Sequence, residues 1–124
     1  MTSVIGNLAQ TRSRIEAACL TAGRPVDSVT LLAVSKTFDA DAVRQAHAAG
    51  QRCFGENYVQ EALDKIATLA ALKPAIEWHL IGPLQTNKVK AALDLFDVIE
   101  TVDRPSLVEV LGKECAKRGR QPEL

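Results

Sequence analysis

At 124 residues the chain has the length of one ordinary domain, well short of the roughly 200 to 250 residues of a complete (β/α)8 barrel. Fifteen Lys and Arg balance fifteen Asp and Glu, and aromatics make up only 4%, so neither a positive field nor a stacking surface points to nucleic acid. Cys19, Cys53 and Cys115 form no CxxC pair, no window approaches the roughly 18 apolar residues of a membrane span, and MTSVIGNLAQTRSRIE lacks the apolar heart of a signal peptide, so the expectation is a cytoplasmic protein with reduced thiols and no membrane partner.

Ile5, Leu8, Ile15 and Cys19 recur close to helical spacing and predict a leading helix that ends near Gly23 and Pro25. VTLLAVS is a continuous aliphatic and β-branched run, the pattern of a strand covered on both faces. Asp39 then caps a helix carrying Ala42, Val43, Ala46 and Ala49, closed by Gly50. QRCFGEN predicts a second strand, with Asn57 as cap of a helix whose stripe is Val59, Ala62, Leu63, Ile66 and Leu69.

IEWHLIG predicts the third strand, followed by a helix from about Thr86 through Val89 and Leu93. DVIETV predicts the fourth, after which Asp103 caps a helix with Pro105 in its first turn and Val108, Leu111 and Cys115 inward. Strands alternating with helices through short connections predict parallel βαβ units. Periodicity leaves two architectures open, a flavodoxin-like sheet and half of a TIM barrel.

In either architecture ligands bind at the carboxyl ends of the strands, where Lys36, Asn57, Gly82 and Thr101 fall in succession. A strand-end lysine is commonly a solvated loop residue, but its amine, when neutral, condenses with an aldehyde to an imine. Asn57 reads either as a helix cap or as a hydrogen-bonding group for a ligand hydroxyl. Glu56 either orients a site or solvates a loop. His79, opposite in phase to Trp78 and Leu80, reads as a histidine held by a backbone partner, and Gly82 before Pro83 as a turn that also lets a flat ring approach the backbone. With His47 distant and no HExxH spacing, no metal is assigned. No Walker loop, GxGxxG or GxSxG is present, and Lys88 and Lys90 read as solvent-facing helix charges.

LLAVSKT, FGENYVQE and WHLIGPLQTNK, in this order and spacing, resemble the pyridoxal-phosphate homeostasis family across essentially the whole chain. The resemblance implies the first half of a (β/α)8 barrel similar to the N-terminal barrel of alanine racemase. It also implies a non-catalytic role in intracellular cofactor homeostasis, with pyridoxal 5'-phosphate held as a Schiff base on Lys36. Asn57 matches the GEN asparagine near the cofactor, while His79, Gly82 and Asn87 match motif positions of less defined role.

Family chains are about twice as long and carry their phosphate cup in later strands. QPEL falls where a fifth strand is due, so residues 1–124 are expected to be the N-terminal portion of a single barrel domain. A fold-type III enzyme, a racemase or decarboxylase, stands as an alternative, although a racemase needs a second acid/base from elsewhere. A self-associating half-barrel with little cofactor binding stands as another, because an open sheet leaves unpaired edges for a second copy or the missing half to cover.

Overall fold

The computed structural model describes residues 3–72 and 75–124. Helix α1 (Val4–Ala22) starts at Ser3, whose hydroxyl accepts from Gly6 N–H, and ends at Gly23 in the left-handed conformation. Its inward side runs through Val4, Leu8, Ile15 and Cys19, while Ile5 is exposed. Arg12 joins that stripe by donating to Ala49 O and Gln51 Oε1, at 2.9 and 2.8 Å.

Four parallel strands follow in sequential order, β1 (Ala33–Val34), β2 (Cys53–Glu56), β3 (Glu77–Leu80) and β4 (Val98–Ile99). Helices α2 (Ala40–Ala48), α3 (Val59–Thr68) and α4 (Val89–Leu95) connect them, and α5 (Pro105–Arg118) comes after β4. The flavodoxin-like order reverses direction after its first strands. This sheet never reverses, which removes that alternative.

Register explains the burial. Phe54 lies opposite Trp78, and Glu56 opposite Leu80, so alternation turns these residues to one face, where they meet the helices. Val43, Ala62, Ile66, Val89, Leu93, Leu107 and Leu111 are among the residues that join them in that core. The Phe54 and Trp78 rings lie 5.7 Å apart and tilted by 41°, a contact contributing about 1 kcal/mol beyond its buried area. The opposite face is open: Val34 is 47% exposed, and Cys53, Glu77 and His79 are half-buried.

Several boundaries differ from the sequence pattern. The VTLLAVS run makes ladder pairs only at Ala33 and Val34 and is not covered on both faces. It borders one strand rather than two, and Leu31 O is taken by Gln51 Nε2 at 2.7 Å instead of by a ladder. The fourth strand is likewise only Val98–Ile99, and the helix expected from Thr86 begins as a 3-10 turn over Thr86–Lys88. Val108 faces solvent and Leu107 takes the inward place. Arg104, without a side-chain cap bond, rather than Asp103, precedes α5. At the other edge Glu123 bridges Val98 in parallel, with Ile99 N–H donating to Glu123 O at 2.9 Å.

Candidate functional site

The chain leaves β1 through Ser35, Lys36 and Thr37. Ser35 is buried: its N–H donates to Gly55 O at 2.9 Å and its hydroxyl to the Glu56 carboxylate, while its carbonyl accepts from Lys65 Nζ at 2.7 Å. Thr37 has φ of 65°, a left-handed conformation that costs a threonine about 1–2 kcal/mol. Its N–H donates to Glu61 Oε1 at 2.5 Å, and its hydroxyl to Lys36 O at 2.6 Å. Between these two fixed neighbours Lys36 is exposed, and among the described residues its amine makes no hydrogen bond or ion pair.

The fixation comes from α3. Glu56 is fully buried and Lys65 nearly so, with Nζ 3.0 Å from both Glu56 oxygens and 3.4 Å from Glu61 Oε1. Of the two readings of Glu56, the loop-solvating one is excluded: its alternation places it under the helices, where Lys65 satisfies it. The local pattern did not mark Lys65 as its partner, although Lys65 lies three residues after Ala62 and four before Leu69, in phase with the buried stripe. Leu63, expected in that stripe, is 42% exposed.

Asn57 is not the cap of α3. Tyr58 holds that position without a side-chain cap bond. The Asn57 main chain instead closes on Gly82: a Cβ at Gly82 would lie 2.1 Å from Asn57 O. Gly82 O in turn accepts from the Thr101 hydroxyl at 2.6 Å, so the exits of β2, β3 and β4 are joined. The half-buried Asn57 carboxamide makes no hydrogen bond among the described residues. Nearby, Tyr58, Gln60, Pro83, Gln85 and Lys88 line a groove of about 260 Å³. Asn87 is exposed on the 3-10 turn beside it.

His79 sits lower on the open face, three residues before Gly82. Its Nε2 lies 2.8 Å from Glu77 and its Nδ1 3.2 Å from Glu100, so two carboxylates hold it where a backbone partner was expected. Cys53 approaches the Glu77 and His79 donor atoms within 4.8 Å. Both ring nitrogens are already engaged by the two carboxylates, and Cys53 lies beside the Glu77–His79 pair. Burial, with the nearby Glu77 charge, pushes the Cys53 thiol above its ordinary 9.0, against a smaller opposing effect of Arg52. A larger cavity of about 570 Å³, against α5 and lined by Leu111, Cys115, Arg120 and Leu124, contains none of the expected site residues.

No family model matches the chain. The pyridoxal phosphate homeostasis protein of Escherichia coli K12 is 50% identical over 105 residues, 84% of this chain and 45% of that protein. That of Pseudomonas aeruginosa is 47% identical over 114 residues, 92% of this chain and 49% of that protein. PipY of Synechococcus elongatus, solved with PLP bound, superposes with a TM-score of 0.73 at 46% identity, covering 86% of this chain and 50% of PipY. The chain is a homologue of the pyridoxal phosphate homeostasis proteins. It spans about half the length of the curated homeostasis proteins it matches. A protein of unknown function from Bifidobacterium adolescentis superposes at a TM-score of 0.87 with 37% identity, over 94% of this chain and 51% of that one.

Proposed function

We propose that the chain forms part of a pyridoxal 5'-phosphate-binding protein of intracellular cofactor homeostasis, with Lys36 as the residue that holds the aldehyde. The observation that carries this is the Lys36 amine, unpaired among the described residues at the end of β1, on a main chain fixed at Ser35 and Thr37. The group fits the residues present: a free amine for the aldehyde, and an unengaged Asn57 carboxamide for a ring substituent. Lys36 would hold the group through its neutral amine, whose two N–H protons would leave with the aldehyde oxygen as water, and the group would supply the aldehyde. Gly82 supports the site through Asn57, and His79 lies in the layer beneath.

The role is holding rather than turnover. Glu56 is committed to Lys65, and His79 to Glu77 and Glu100, which leaves neither poised beside Lys36 as an acid or base. The sequential sheet with helices on one face is read as half of a (β/α)8 barrel, similar to that of alanine racemase, with the open face turned to the barrel interior. The greater length of the relatives supports further strands as the cover of that face, and a second copy is the substitute available to this chain alone. Three free thiols favour a cytoplasmic setting.

Titrating the chain with pyridoxal phosphate tests the reading. An imine absorbance band that grows with cofactor in the wild type and is lost in Lys36→Ala supports it; an equal band in both proteins removes Lys36 from the role.

A further inference from the structure

Among the described residues Lys36 has no side-chain partner of its own, yet both of its peptide neighbours are held by one helix. Lys65 Nζ donates to Ser35 O, just before Lys36, and the Glu61 carboxylate accepts from Thr37 N–H, just after it. Lys65 is itself fixed by Glu56 and reaches Glu61 at 3.4 Å, so the two attachments are linked within α3 and β2. Thr37 is left-handed, a conformation that a threonine keeps only where its surroundings impose it.

We infer that Glu61 is a positioning residue for Lys36, setting the direction in which the amine leaves β1 by holding the Thr37 amide in its left-handed turn. This rests on Lys36 being the aldehyde-binding lysine. Nothing in sequence spacing marks Glu61 for it, since the ordinary reading of an acid in the first turn of a helix is a favourable charge at the helix N-terminus. The geometry adds a second use: Oε1 accepts a main-chain N–H from the preceding βα unit, 24 positions away in sequence.

The two uses separate chemically. Capping the helix electrostatically needs the charge; holding Thr37 needs an oxygen at the right reach. Glu61→Gln keeps an oxygen acceptor at the same reach and loses the charge. Glu61→Asp keeps the charge and withdraws the oxygen by one methylene.

The experiment treats the full 124-residue chain with pyridoxal phosphate and borohydride, maps the reduced adduct by peptide mass and follows its rate at Lys36. Exchange of the Thr37 amide is measured on the unloaded protein. Expected are near wild-type labelling and Thr37 protection in Glu61→Gln, and labelling slowed about tenfold, with faster Thr37 exchange, in Glu61→Asp and Glu61→Ala. Equal labelling rates at Lys36 in all of these proteins overturn the inference while leaving Lys36 as the binding residue. So does the reverse order, with Glu61→Asp like wild type and Glu61→Gln impaired, because charge alone would then be at work. Label absent from Lys36 in the wild type is a different failure, that of the proposed function itself.

Discussion

Gly82 and Asn57 touch through their main chains so closely that a methyl group on Gly82 would lie 2.1 Å from the Asn57 carbonyl oxygen. The contact joins β2 and β3 where the candidate site begins, and the Gly82 carbonyl is held in turn, since it accepts from Thr101. Gly82→Ala should therefore lower stability by about 2–3 kcal/mol or more through overpacking. Gly112 in α5 has nothing within 4 Å of its missing Cβ, so Gly112→Ala should raise stability by about 0.5–1 kcal/mol. Urea denaturation of the two variants checks the opposite signs.

The Glu56–Lys65 pair makes a second prediction. Removing one partner leaves a buried charge uncompensated, so Lys65→Met should cost about 3–5 kcal/mol, whereas replacing both together, Glu56→Gln with Lys65→Met, should recover a substantial part. A double-mutant cycle by chemical denaturation measures the coupling. Near-zero coupling would show that Ser35 and Glu61, rather than the opposite charge, satisfy the two groups.

Asn57 caps nothing, so its loss should be mild for the fold. Asn57→Ala is expected to shift stability by no more than about 0.5 kcal/mol while changing the position or intensity of the imine band formed with pyridoxal phosphate. Thermal melts and cofactor titration on the same sample separate the two effects.

Much of the architecture was legible because it rests on periodicity. The alternation of Trp78, His79 and Leu80 separates the two faces of β3, of which Trp78 and Leu80 take the buried one, and Gly23 closes α1 as expected. What escaped were features set by contacts across elements. Val34 looks like core in sequence, but it lies on the open face of the sheet, in an edge strand, and is exposed. Asn57 has the right residue type for a cap, but the backbone contact with Gly82 accompanies a helix start one residue later. Lys65 reads as a surface charge until Glu56, on another element, is seen beneath it. The LLAVSKT and FGENYVQE motifs nominate Lys36 and Asn57 as candidates, while the Glu61–Thr37 bond, spanning 24 residues, has no local signature.

Cys53 makes the pH prediction. Burial first, and then the Glu77 charge, raise its folded-state ionisation above 9.0, so the folded protein keeps the thiol proton at pH values where the unfolded chain gives it up. The contribution is whole below about pH 9 and is lost as pH rises through the folded value. Stability should thus fall with pH in the alkaline range, and Cys53→Ala should flatten that part of the profile. Denaturation midpoints between pH 7 and 10.5 measure it; an unchanged slope in Cys53→Ala would assign the alkaline loss to other groups.

The central claim is that Lys36 is the amine that takes the aldehyde of pyridoxal phosphate, and borohydride trapping followed by peptide mapping tests it most directly. The exposed Lys36 amine should carry the reduced adduct, and Lys65, whose Nζ is buried among Glu56, Glu61 and Ser35 O, should stay unmodified. An adduct confined to Lys88 or Lys65, with Lys36 untouched, would contradict the account.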